Sequence, residues 1–228
     1  MSLEISAENA SPRMLKAMST LISIKKELQR TNTVSLADLV AFGGAEALET
    51  VGSPRVTVQV GRFDSKSTNP NPKILPWINE PASQVKSIFF DSSLDSQQLV
   101  LLLGSLGEIQ RVVDETLFTA ATAQSSEEDD DDDEQQKIFV PTTFGARDAI
   151  FGAKMGKADF GSKFLTSVLK NKVDDPSLKK IAACLLADGD LKSYVQKYAS
   201  NEAAFLKDVP SAYLKLTLLG ESYTTRNS

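Results

Sequence analysis

The 228-residue chain contains no histidine, one cysteine and one tryptophan. Imidazole is the commonest metal ligand and the usual general base near neutral pH. Its absence excludes Ser-His-Asp, Cys-His and histidine–zinc chemistry within this chain. The single thiol, Cys184, excludes an intramolecular disulfide and any cysteine-built zinc or iron–sulfur site. The longest strictly apolar run, residues 99–103, is far short of the ~20 residues that cross a bilayer. Residues 1–10 lack the basic start and apolar stretch of a secretory signal. Strand signal is scarce and no internal repeat is visible, so the expected class is mainly α, as one domain over 1–228.

What is present begins with charge. The formal net charge is −5, but Glu127, Glu128, Asp129, Asp130, Asp131, Asp132, Asp133 and Glu134 form one run, and removing these eight leaves +3. The chain reads as a near-neutral globule carrying one acidic tract. Such a tract is expected to be a solvated, disordered loop whose like charges repel, and its residues are the candidate contacts for a basic protein partner. Its spacing lacks the glycine and final glutamate of an EF-hand, and its sign argues against direct nucleic-acid binding.

Helical patterns follow one another along the chain. Pro12 at a first helical position opens a helix over 12–30, with Leu15, Met18, Leu21, Ile22 and Leu28 expected to face inward. Ser35 and Asp38 form an S-x-x-D start signal for the next helix, with Leu36, Leu39, Val40, Ala47, Leu48 and Val51 as its apolar face. Gly52-Ser53-Pro54 ends it, and Val56, Val58 and Val60 alternate in an extended run. A proline-rich loop over 65–76 precedes a short helix over 81–91. The next helix, over 96–118, carries Leu99, Leu102, Leu106, Ile109, Val113 and Leu117 as one stripe expected to be buried. Loop follows from 118 to 136. Further helices are expected over 159–170, 176–186, 191–199 and 202–219.

The stretch 34–64 has the pattern V-S-x-A-D-x-x-A-x-x-G, then G-x-P-x-V, then G-R-x-D, on Val34, Ser35, Ala37, Asp38, Gly44, Gly52, Pro54, Val56, Gly61, Arg62 and Asp64. This order and spacing resemble the class I plant-type haem peroxidases, above all ascorbate peroxidases. Residues 94–106 resemble the family's proximal-helix motif, 160–164 its F-D-N-x-Y/F, and 185–188 its L-L-x-D. The resemblance runs from about residue 3 to 220. It implies a haem-peroxidase-like helical scaffold without the distal helices, with an insertion over about 119–140.

The same resemblance implies where the chemistry should lie. The family's haem-ligating histidine position falls on Leu106, which has no lone pair for iron. The position of the aspartate that tunes that histidine falls near Ala182, with Asp174 or Asp175 as alternatives within register. The distal arginine–histidine pair has no counterpart, because the motif around Arg13 does not match. Trp77 lies in the wrong segment to stand beside the haem. Cys184 and Met155 read as core residues rather than substitute ligands.

No catalytic residue, cofactor or metal site is therefore expected. The resemblance implies a haem-less, non-catalytic member acting through protein–protein interaction, as a subunit or assembly factor of a larger complex. It also implies a chloroplast setting, stromal or thylakoid-associated, with a photosynthetic or other plastid complex as partner. The competing expectations are a peroxidase with atypical haem ligation, or with its distal half outside this chain, and a small-molecule, ascorbate-like binding protein.

Overall fold

The computed structural model describes residues 12–28, 34–62, 64, 82–124 and 159–219. Among them are eight helices and no strand: α1 Pro12–Leu28, α2 Leu36–Thr50, α3 Ala82–Asp91, α4 Ser96–Gln124, α5 Lys163–Leu169, α6 Pro176–Leu186, α7 Gly189–Ser200 and α8 Glu202–Thr217. The mainly-α, peroxidase-like architecture expected from the sequence is the one observed. No helix among the described residues is long and apolar enough to cross a membrane.

The termini of α2 follow local chemistry. Ser35 Oγ accepts the Asp38 amide at 3.0 Å, satisfying one of the helix's orphan donors. At the other end Gly52 takes φ 103°, where a side chain would be strained, and Ser53 N closes back on Leu48 O at 3.0 Å. The segment beyond, residues 53–62, has no regular secondary structure: Val56 is buried, Val58 half-buried and Val60 64% exposed.

α4 is the central helix and packs against α3, α5, α6, α7 and α8. It runs six residues past the expected end at 118, because residues 119–124, TAATAQ, contain no breaker and several strong helix formers. Residues 118–124 of the expected loop over 118–136 are thus helical, and 125–136 lie outside the described residues. α5 starts at Lys163 rather than 159, since Phe160, Gly161 and Ser162 form the turn that leads into it.

The expected α1 face is corrected. Leu15 and Ile22 are 43% and 40% exposed, because among the described helices α1 packs chiefly on α2 rather than in the core. In α2, Val40 and Ala47 are exposed, and the inward face is Asp38, Leu39, Ala41, Ala45 and Leu48.

The stripe expected to be the buried face of α4 is corrected as well. Leu99 is buried, but Leu102, Ile109 and Val113 are only half-buried and Leu106 is 41% exposed. The buried positions after Leu99 are Val100, Leu101, Leu103, Gly104, Ser105, Gly107, Glu108 and Val112. The cause is the two glycines. The partner side chains Leu165 and Phe164 lie directly over Gly104 and Gly107, and a Cβ at Gly107 would overlap the Phe164 ring. The glycine face lets α5 approach closely, which leaves Leu106 turned outward while Leu102 and Ile109 pack at the edge of the core.

Candidate functional site

Two clusters of chemistry-bearing side chains stand on this frame. The first is built around Glu108, which is fully buried. Its Oε1 accepts Gly161 N at 3.1 Å and its Oε2 accepts Phe164 N at 2.7 Å, so a side chain of α4 caps the start of α5. Ser162 occupies the local cap position but makes no cap bond with its own side chain. Arg111 Nε and Nη2 donate to Glu108 Oε1 at 3.0 and 2.5 Å, and Nη2 also reaches Asp159 O at 2.6 Å. Burial works against the Arg111 charge, yet Glu108 and Glu115 outweigh it and raise its pKa. Every charge here has a partner, so the cluster holds α4, α5 and the preceding turn together. Sequence reading missed Glu108 because a glutamate between apolar residues looks like a solvated position. Gly107 beside it was the available signal.

The second cluster explains the 34–64 motif. Asp38, also buried, accepts Arg62 Nη1 at 2.9 Å and Gly61 N at 3.1 Å. Arg62 Nη2 donates to Thr217 O at 2.7 Å, tying the motif to the end of α8. Asp64 accepts Leu36 N at 2.8 Å and pairs with Lys25. Burial pushes the Asp64 pKa up, but Lys25 and the Leu36 amide more than offset it, leaving the carboxyl below its ordinary range. These motif residues are structural fasteners.

The positions that resemblance links to haem stand apart. Leu106 lies on the outer face of α4 and is 41% exposed. The expectation of a buried Leu106 is overturned, for the packing reason given above. Ala182 is half-buried on α6 and packs against the core. Asp174 is exposed, and Asp175 accepts Leu178 N at 2.9 Å as a helix-start partner. Cys184 is buried, and burial pushes its thiol pKa up, which keeps it protonated and a poor ligand. The buried Tyr198 hydroxyl is engaged by Asp208 and Gln97, both at 2.8 Å. Among the described residues no group of three or more His, Cys, Asp or Glu could hold a metal ion. Leu106 offers no lone pair and Ala182 no carboxylate, so the donor set at these positions does not fit a haem iron. The acidic residues 127–134, together with Trp77 and Met155, lie outside the described residues, as does the side chain of Arg13.

Comparison with known proteins bears on the same scaffold. A family model described as peroxidase matches residues 2–201. The chain is 27% identical over 195 residues to L-ascorbate peroxidase T, chloroplastic, of Arabidopsis thaliana, covering 83% of this chain and 42% of that protein. It is 26% identical over 208 residues to putative L-ascorbate peroxidase 6 of Arabidopsis thaliana, covering 91% and 52%. It is 25% identical over 200 residues to probable L-ascorbate peroxidase 7, chloroplastic, of Oryza sativa subsp. japonica, covering 83% and 50%. The chain thus spans about half the length of these curated relatives. No solved structure matches. With the family model covering most of the sequence and the 34–64 motif working as its structural fastener, the chain belongs to the peroxidase family.

Proposed function

We propose that this member of the peroxidase family is non-catalytic and haem-less, and that it acts by binding other proteins as a subunit or assembly factor of a larger complex. The observation that carries the reading is Leu106. In a chain without a single histidine, the position aligned with the iron ligand holds a side chain that cannot coordinate. The outer face of α4 supports a binding role: Leu106 is 41% exposed, with Leu102, Ile109 and Val113 half-buried along the same stripe. The acidic run Glu127 to Glu134 is a second candidate contact, suited to a basic partner and weakened by salt. The chloroplastic names of several relatives support a plastid setting.

The test starts with haem added to the purified protein and the absorption spectrum recorded. No stoichiometric Soret shift is expected. A stoichiometric shift with peroxide turnover would replace this reading with a peroxidase of atypical ligation. Leu106→His supplies one ligand without a distal pair or a placed aspartate, so its turnover should stay at that of free haem. Affinity purification from the native source, with wild type and Leu106→Asp side by side, tests the binding face. A partner kept by the first and lost by the second is the expected result.

A further inference from the structure

No described side chain of α1 is fully buried. Leu15, Ile22 and Ile24 remain substantially exposed, and the substantial helix contact of α1 is with α2. That contact is shallow. Leu21 lies against Gly43, where an added Cβ would stand 3.6 Å from Leu21 Cδ2. On a helical projection Leu15, Met18, Leu21, Ile22, Ile24 and Leu28 occupy about half the circumference, and Lys25 falls inside that apolar arc. A lysine there docks well only with an anion opposite it, and Asp64 is that anion. The same carboxylate accepts the Leu36 amide, so one side chain both holds α1 and caps α2.

We propose that α1 is a releasable latch: the Lys25–Asp64 pair holds it on α2, and its undocking is a local opening that leaves the α4–α8 bundle folded. The two side chains are 22% and 34% exposed, so salt reaches and screens the pair. Asp38, on α2, and Arg62, two residues before Asp64, are paired with each other and stay in place when α1 leaves. Undocking uncovers both the apolar arc of α1 and the Gly43 surface of α2. The device is independent of whether the Leu106 face binds a partner.

Amide hydrogen exchange on the full chain tests it. Amides beyond the first turn of α1 are expected to exchange at least about tenfold faster than those in α7 and α8. Raising NaCl from 0.1 to 1 M, or Lys25→Gln, should speed α1 a further two- to five-fold or so. The two should not add, because each removes the same pair. Asp64→Ala should speed α1 and also the first turn of α2, which loses its cap. Throughout, α7 and α8 should be unchanged. Protection of α1 equal to that of α7 and α8 would overturn the latch. So would indifference to Lys25→Gln, or acceleration of the whole bundle together with α1.

Discussion

The α1–α2 unit and the α4–α8 bundle each bury one carboxylate paired with an arginine, yet the two pairs stand in different surroundings. Glu108 sits where α4 meets α5, among Phe164, Leu165 and the glycine face of α4, and accepts two amides from the turn and helix beyond. Asp38 sits where α2 meets the irregular segment over 53–62, and its arginine reaches on to Thr217 O. Both pairs are well shielded, Glu108 and Arg111 at 0% and 15% exposure and Asp38 and Arg62 at 5% and 11%. Ala45, Leu48, Val51 and Val56 of α2 and its following segment also join the same hydrophobic core as α4 to α8. The two carboxylates differ in what they join: Glu108 ties a helix to the start of another helix through two amides, and Asp38 ties a helix to a loop segment through one amide and an arginine.

The sharpest break in that contrast is Glu108→Ala. It leaves the amides of Gly161 and Phe164 unpaired in the interior and takes from Arg111 its buried partner, leaving it Asp159 O and Glu115, and should cost about 3–5 kcal/mol in a urea melt. Asp38→Ala makes the equivalent truncation in the other region. Arg62 keeps Thr217 O and Gln59 O, and one backbone amide, Gly61 N, loses its acceptor where Glu108→Ala leaves two, so the loss should be smaller, about 1–3 kcal/mol. Equal losses would mean that the two ties contribute alike.

Glycine substitutions in α4 come next. Gly107→Ala gains ~1 kcal/mol of helix propensity but pushes on the buried Phe164 ring, an overpacking cost of ~1–3 kcal/mol. The net should be a loss measurable by thermal melting. Gly104→Ala meets Leu165 Cδ2 at 3.1 Å, a milder approach, and should be near neutral. The smallest effect belongs to the outer face of the same helix. Leu106→Ser should change stability by no more than about 0.5 kcal/mol, because its side chain is already half in water. A loss of several kcal/mol there would restore the buried reading of that stripe.

Much of the helical frame was legible in the sequence. The S-x-x-D start and Gly-Ser-Pro end of α2, the helix over 176–186 and the short helix ending at Asp91 are local features, set by caps and breakers that act within a few residues. The place of Leu106 on the apolar stripe of its helix was legible. Its burial was not, because helical spacing shows which residues share a face and does not show which face is covered. The 34–64 motif was visible as a pattern, while its role as a fastener depends on Thr217, 155 residues beyond Arg62.

The sequence by itself determined that the chain is helical, where several helices start and stop, and that no imidazole is present to bind iron or move a proton. Only the tertiary structure decided which side of α4 faces the core. Glycine and glutamate carry no apolar signal. They become interior residues here because Phe164 needs the space above Gly107, and because Glu108 meets amides 53 and 56 residues further along the chain. Steric room and hydrogen-bond satisfaction between distant segments outweighed the hydrophobic spacing of the leucines.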